Sequence, residues 1–324
     1  MARYLITGIA GFIGSTLAHR LVEEGHDVSG IDNLSTGSLE NLDDIRSAIK
    51  FEKTDLRDAE GLRAACKGVE FVLHQGAVAS VPRSVKDPLG SHDSNVNGTL
   101  NLLMAARDAG VRRIVYAASS SAYGDQPTQP KHEEMLPSPL SPYAVQKLTC
   151  EYYIQSFYHS YGLEGVCLRY FNIFGPHQAA DSPYSGVIAQ FIFKMMEGTT
   201  PTIFGDGLTS RDFTFVDNAV NANLLACQAP SAVASGRVFN VGTGKSRTLN
   251  EVYEGIAAAL GFKPPPLYGP ERVGDVKHSL ASIERAQKEL GYVPRADFQQ
   301  GLEKTVAWYL SEHRKGQEVL SSKF

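Results

Sequence analysis

The stretch Tyr4-Leu5-Ile6-Thr7-Gly8-Ile9-Ala10-Gly11-Phe12-Ile13-Gly14 decides how this chain folds. Tyr4 to Thr7 is a short apolar run, the pattern of a buried strand. Glycines then fall at positions 8, 11 and 14, and a helix opens with Leu17, Ala18, Leu21 and Val22 on one face. It ends at Gly25, and Asp27 to Ile31 reads as a second strand closed by Asp32-Asn33. A glycine turn lets backbone approach a pyrophosphate closely, and the helix N-terminus offers N–H groups and a positive dipole end. Asp32, 18 residues beyond Gly14, is placed to accept hydrogen bonds from ribose hydroxyls and disfavours a 2′-phosphate. The spacing is G-x-x-G-x-x-G, not the commoner G-x-G-x-x-G, so the strand context and the acid carry the reading.

Outward from this unit the chain alternates. Asn33 to Leu42 is polar and turn-rich. Lys50 to Lys53 is a strand ending at Asp55-Leu56, Ala59 to Cys66 a helix, and Phe71 to Leu73 a strand. That strand stops at His74-Gln75-Gly76-Ala77, where His74 reads as a core histidine. Ser80 to Ser84 is expected as a loop, with Arg83 either a phosphate contact or a solvated charge. Asn95 to Ala109 reads as an amphipathic helix through Val96, Leu100, Leu103 and Met104. Arg113 to Ala118 and Leu163 to Phe171 are further strands. Such alternation predicts an α/β fold, a doubly wound parallel sheet covered on both faces. After Gly175-Pro176 the pattern loosens. A loop over Asp181 to Gly186, a helix over Val187 to Met196, a strand at Thr202 to Phe204, a helix over Asp217 to Cys227 and a strand at Val238 to Val241 follow. Pro264-Pro265-Pro266 forces an extended segment before two last helical stretches.

Ser141-Pro142-Tyr143-Ala144-Val145-Gln146-Lys147 supplies the chemistry. Proline suits the first turn of a helix, and positions four apart share one face. Lys147 therefore faces the same way as Tyr143, and an ammonium near a phenol lowers its pKa from about 10. Tyr143 is a candidate general base. Ser119-Ser120-Ser121, at the end of a strand, offers a hydroxyl to complete a proton relay.

Bulk properties set limits. The 324 residues suffice for one or two domains; 43% are hydrophobic and 20% charged. A net charge of -4 gives no basic field, so nucleic acid is an unexpected partner. Cys66, Cys150, Cys167 and Cys227 are scattered, without metal-ligand spacing, which suggests reduced thiols, no metal, and a cytoplasmic protein. No leader and no membrane span are read.

Gly8, Gly11, Gly14, Asp32, Asp55, the Ser119–Ser121 run and Tyr143-x-x-x-Lys147 occur together and in order. This set resembles the extended short-chain dehydrogenase/reductase family along nearly the whole chain. The resemblance implies a Rossmann NAD-binding domain over 1–171, with returns near 211–242, and a smaller α/β domain over 172–324 that binds a nucleotide sugar. It implies NAD contacts from Phe12, Ile13, Asn33, Ser35, Leu56, Gln75, Ala77, Asn95, Tyr143, Lys147 and Tyr170, besides the glycines, Asp32 and Asp55. It also implies a homodimer through a four-helix bundle made by the helices Asn95–Ala109 and Pro142–Tyr161.

Within the family, sugar 4,6-dehydratases carry Asp and Glu where this chain has Ser120 and Ser121, and the glucuronate decarboxylases place a glutamate in this turn. Serines cannot do that work at neutral pH. One tyrosine, one serine and one hydride acceptor suffice for 4-epimerisation, with Tyr143 as base, Ser119 assisting and Lys147 tuning. The same resemblance assigns the UDP-sugar to Ser80, Ser119, Ser121, Tyr143, Asn172, Val187, Thr202, Phe204, Arg211, Arg272, Asp275 and Ser279. Asn172 argues against a carboxylate sugar, since glucuronate 4-epimerases tend to have threonine there. Ser279 stands where related epimerases restricted to UDP-Glc and UDP-Gal have a bulky tyrosine, so its small volume admits a 2-acetamido group. The chain is thus similar to UDP-N-acetylglucosamine 4-epimerases, with UDP-Glc/UDP-Gal expected as a second pair. The alternatives are a UDP-glucose 4-epimerase without N-acetyl preference, a UDP-glucuronate 4-epimerase, and a non-catalytic NAD-binding regulator.

Overall fold

Strand β1 (Arg3–Thr7) sits inside a sheet and is apolar on both of its faces, because both faces are covered. Leu5 packs into one apolar cluster and Ile6 into the other, and both are fully buried. Around it run β2 (Asp27–Asp32), β3 (Ile49–Lys53), β4 (Phe71–His74), β5 (Arg113–Ser119), β6 (Glu164–Tyr170) and the strand Arg237–Val241. The computed structural model describes residues 1–179, 186–271 and 276–321. The expected loop over 181–186 lies outside them except for Gly186, and Arg272 and Asp275 lie outside them altogether.

The order across the sheet is Arg237–Val241, β6, β5, β4, β1, β2, β3. Every neighbouring pair is parallel. Succession runs one way from β1 to β3 and the other way from β4, so the order reverses between β1 and β4. Crevices open beyond the carboxyl ends of strands at such a reversal. Helix α1 (Phe12–Glu23) covers one face with Leu17, Ala18 and Leu21. Helix α2 (Ala59–Ala65), the helix Gly98–Asp108 and the helix Pro142–Tyr161 cover the other. This is the Rossmann-type α/β architecture expected from the sequence.

Two segments differ from the sequence reading. Ser80 to Ser84 is not a loop: a helix runs over Val81–Lys86, because Ser80 caps it by accepting from Arg83 N and Pro82 fits its first turn. The expected helix from Asn95 is regular only over Gly98–Asp108. Before it lie a helix Pro88–His92 and a π-helical turn Asp93–Asn97, whose wider winding re-phases the side chains. Leu102, Leu103 and Ala106 therefore point inward, and Met104 stays 39% exposed.

Buried charges tie the layers together. Arg113, fully buried, meets Glu164 and donates to the carbonyls of Ala226, Cys227 and Ala229, closing the C-terminal end of the helix Val216–Gln228. Arg169 of β6 forks onto Glu151 of the helix Pro142–Tyr161 at 2.7–3.3 Å and lies 4.6 Å over the Tyr123 ring. A third apolar cluster, built on Phe174, Phe191, Ile192, Phe213, Phe215, Val252, Ile256 and Leu302, joins the helices Val187–Met196, Leu249–Leu260 and Phe298–Ser321. Two small sheets flank it. One pairs Thr202–Phe204 with Leu267–Gly269, and the other sets Ser210–Arg211 between Arg247–Thr248 and His278–Ser279. No helix among the described residues is long and apolar enough to cross a membrane.

Removing one partner of a buried ion pair strands the other charge. Glu151→Ala is expected to lower unfolding stability by about 3–5 kcal/mol. Glu151→Met with Arg169→Met should recover most of that loss in urea denaturation followed by circular dichroism. Equal destabilisation by the single and the double variant would show that the pair adds no such penalty.

Candidate active site

A continuous cleft of about 1250 Å³ opens along the carboxyl ends of the strands. One end is the glycine turn. Gly8 has φ of 68°, and a Cβ there would stand 2.8 Å from the backbone of Gly76. A Cβ on Gly14 would stand 2.1 Å from the Gly8 carbonyl oxygen. Glycine is therefore what allows α1 to start against β1. Its N-cap, Gly11, has no side-chain cap, so the first-turn N–H groups of Phe12 and Ile13 belong to the cleft wall.

Asp32 closes this end. Its carboxylate accepts from Ala10 N at 3.1 Å and Leu34 N at 2.8 Å; burial raises its pKa while these bonds hold it down. Asn33 and Ser35 follow on the wall, with Ser35 N donating to Asn33 Oδ1 at 3.0 Å. Asp55 accepts from Asn33 Nδ2 at 2.8 Å and from both Nε and Nη2 of Arg57, which hold its carboxyl well below the usual carboxylate range. Leu56, Gln75 and Ala77 complete this wall.

Behind the wall runs a directed chain of hydrogen bonds. Gly76 N donates to Thr7 Oγ1, which bonds His74 Nδ1 at 2.7 Å; His74 Nε2 meets Thr99 Oγ1 at 2.9 Å. Thr99 spends its only proton on the Asn95 carbonyl, so Nε2 carries the imidazole proton and Nδ1 accepts. Burial pushes the His74 pKa down to about 3, and the ring stays neutral. Asn95, expected as a cofactor contact, also stands behind the wall. It is 2% exposed and its amide holds Val78 N at 2.7 Å and Gln146 Oε1 at 2.8 Å.

The centre of the cleft holds Tyr143, Lys147 and Ser119 together. Ser141 caps their helix, Pro142 occupies its first turn, and Tyr143 N donates to Ser84 Oγ at 3.0 Å. Lys147 Nζ donates to the Ala117 carbonyl at 2.8 Å and sits 6.0 Å from the centre of the Tyr143 ring. Burial lowers the Lys147 pKa to about 8. The Tyr143 phenol is itself pushed up by burial, and the hydrogen bond that pulls it back comes from Ser119 rather than from Lys147. Ser119 Oγ in turn accepts from Ser121 Oγ at 2.8 Å and Ser121 N at 3.2 Å.

Tyr170 lines the cleft beside a closed ring of bonds. Its hydroxyl donates to Gln75 Oε1 at 3.2 Å, Asn223 Nδ2 donates to that hydroxyl at 2.6 Å, and Gln75 Nε2 donates to Asn223 Oδ1 at 3.2 Å.

At the far end the cleft meets a second cavity of about 290 Å³, lined by Val187, Thr202 and Phe204. Asn172, Gln178 and Arg211 belong to both walls. Asn172 takes a left-handed φ of 35° and donates to the Asp212 carbonyl. Ser279 lies on the main wall, paired in register with Arg211. The fully buried Asp212 carboxylate ties these pieces together by accepting from Thr243, Gly244 and Ala281. Ser80 stands outside this lining, and its hydroxyl accepts from Arg83 N at the cap of its own helix. Sequence reasoning passed over Arg57, Lys131, Gln178 and Asn223. Arg57 directly follows Asp55-Leu56 and was open to a local reading, whereas Lys131, Gln178 and Asn223 stand apart from the motifs and are brought in by tertiary packing.

The model of the NAD dependent epimerase/dehydratase family matches residues 4–242. The chain belongs to this family. It is 41% identical over 312 residues to a UDP-glucose 4-epimerase of Mycolicibacterium smegmatis, covering 95% of this chain and 98% of that one. A UDP-glucuronate 4-epimerase of Thermodesulfobacterium geofontis is 34% identical over 319 residues, covering 95% and 96%. The structure of a UDP-N-acetylglucosamine 4-epimerase from Methanobrevibacter ruminantium, in complex with UDP-N-acetylmuramic acid, superposes with a TM-score of 0.91 at 40% identity, covering 96% and 99%. The chain is thus a member of the nucleotide-sugar 4-epimerase group, and its cofactor is NAD.

The residues present fit that cofactor. Gly8, Gly11 and Gly14 put no Cβ into the turn, where one on Gly8 or Gly14 would meet backbone, and the buried Asp32 carboxylate lies at the end of β2. Gly14→Ala is expected to remove bound NAD, because its Cβ must displace the Gly8 carbonyl. The check is the nucleotide released from denatured protein, measured by chromatography. Nucleotide content equal to the parent protein would refute the close-approach argument.

Proposed function

We propose that this protein interconverts UDP-GlcNAc and UDP-GalNAc, with UDP-Glc and UDP-Gal as a second pair. The observation that carries the substrate is Ser279, a small residue on the cleft wall in register with Arg211. A tyrosine there would fill the space a 2-acetamido group needs. The second cavity, through Val187, Thr202 and Phe204, is of a size and lining suited to uracil. Arg211 and Asn172, between the two cavities, suit the diphosphate, for which a guanidinium fork is well shaped.

The chemistry follows from the central triad. Tyr143 takes the proton of O4 while Ser119 bonds the phenol and favours its anion. NAD, held against the glycine turn and Asp32, would supply the acceptor and donor for the C4 hydride. With both removed, C4 and O4 share a double bond and the sugar is a 4-ketose. The ketose turns over in the cleft and takes hydride on its other face, and Tyr143 returns the proton to O4. Ser120 and Ser121 are too weakly acidic to expel a 6-hydroxyl, so the cycle stops at epimerisation.

Within this reading, residues 1–171 with the returns near 211–242 serve NAD, and 172–324 mainly serve the nucleotide sugar. Four buried, unpaired thiols suit a reducing cytoplasm. Purified protein given UDP-GlcNAc without added cofactor is expected to form UDP-GalNAc, with UDP-Glc and UDP-GlcA run beside it and products separated by chromatography. Tyr143→Phe should lower the rate by about 100-fold or more while leaving NAD bound. Retained turnover would remove Tyr143 from its role, and UDP-GlcA as the sole substrate would overturn the sugar assignment.

The helices Gly98–Asp108 and Pro142–Tyr161 expose Met104, Val145, Tyr152 and Tyr161, between 39% and 55%. That much apolar surface on adjacent helices supports a homodimer through a four-helix bundle. Light scattering at micromolar concentration is expected to give the mass of two chains, and the mass of one would refute it.

A further inference from the structure

Lys131 lines the main cleft, and the reaction described above makes no use of it. It is 2% exposed, which is unusual for a lysine. Its ammonium donates to the Gln126 carbonyl, and an ammonium carries three donors. Burial lowers its pKa, and Asp125 opposes that only by longer-range attraction. Among the described residues the ammonium's one hydrogen-bond partner is the Gln126 carbonyl, and a desolvated ammonium in this position favours a ligand that brings another oxygen acceptor.

Its place is fixed from two sides. Lys131 N donates to the Leu280 carbonyl at 2.7 Å, and Ser282 N donates to the Lys131 carbonyl at 2.8 Å. These bonds set Lys131 against Ala281, two residues beyond Ser279. Its side chain reaches the turn after Tyr123-Gly124. That turn is locked, since Gln126 Nε2 donates to the carbonyls of Tyr123 and Leu136, and Gly124 packs directly on the Ser138 carbonyl. The Lys131 backbone thus runs beside the segment that carries Ser279, its ammonium bonds the carbonyl of Gln126 just after the Ser119–Gly124 turn, and all three segments line the same cleft.

We propose that Lys131 is a specificity-determining residue, whose ammonium donates a hydrogen bond to the acyl oxygen of a 2-acylamino hexose seated beside Ser279. This rests on the N-acetylhexosamine reading above and deepens it. A small residue at 279 makes room for the acyl group and so explains tolerance. It does not explain preference, because a roomy pocket still accepts the smaller sugar. Lys131 supplies the preference: a sugar lacking the acyl oxygen leaves the buried ammonium short of a partner.

The test is an internal competition. One preparation receives equal amounts of UDP-GlcNAc and UDP-Glc, and the initial rates of UDP-GalNAc and UDP-Gal formation are compared. Their ratio reports relative kcat/KM and is independent of how much protein is folded. Lys131→Met is expected to lower the ratio of N-acetyl to plain sugar tenfold or more. Lys131→Gln, which is milder on packing, serves the same assay if the methionine variant does not fold. An unchanged ratio, with both rates falling together or neither falling, overturns the assignment and leaves the substrate reading standing. A parent protein that forms UDP-Gal but no UDP-GalNAc overturns both.

Discussion

Close approach of backbone to backbone at the sheet's reversal point is the constraint on which the rest depends. Helix α1 starts directly over the Gly8 carbonyl, and Gly8 lies against Gly76 of the neighbouring crossing. With any side chain at positions 8 or 14, α1 would lift from β1 and β4, and the N–H groups at its first turn would leave the cleft. The core beneath would follow, since Leu17, Ala18 and Leu21 fix the same helix to the sheet.

Polar groups behind that contact carry it to the chemistry. The chain from Gly76 through Thr7, His74 and Thr99 ends on the Asn95 carbonyl, and Asn95 grips Gln146, the residue before Lys147. The glycine turn and the helix of Tyr143 and Lys147 are thereby held by one buried network with a fixed proton direction. A neutral His74 is a condition of that direction, because a second ring proton would find the Thr7 hydroxyl already aimed at Nδ1. Lys147 is aligned on the other side by the Ala117 carbonyl. Its charge sits near Tyr116 as well as Tyr143, so in the protein alone its influence on the phenol is outweighed by burial.

The substrate end is assembled differently. No single element makes it: Asn172 and Gln178, Arg211, and Ser279 converge from three segments, and Asp212 holds the strand of Ser279 to the Thr243–Gly244 turn. A buried carboxylate that accepts from Thr214, Thr243, Gly244 and Ala281 keeps short strands in register where there is too little sheet to do so. The small three-stranded sheet around Ser210–Arg211 exists on those terms.

The sequence by itself determined the doubly wound sheet, the glycine cradle with Asp32, and the pairing of Tyr143 with Lys147. Each rests on local periodicity or a fixed spacing, which strand and helix geometry translate directly into space. It misjudged Ser80 to Ser84, where one cap and one proline turned a polar loop into a helix, and the phase of the helix before Gly98, where a π turn broke the period. Only the tertiary structure decided that Ser80 and Asn95 stand off the cleft wall, that burial raises the Tyr143 phenol while a hydrogen bond from Ser119 opposes it, and that Lys131 and Asn223 come to the site at all. Those outcomes depend on which donors are already spent and which charges are desolvated. Chain neighbours do not settle either question for Asn95, Asn223 and the Lys131 backbone, because their partners Gln146, Tyr170 and Leu280 lie tens of residues away and meet them only when the layers close.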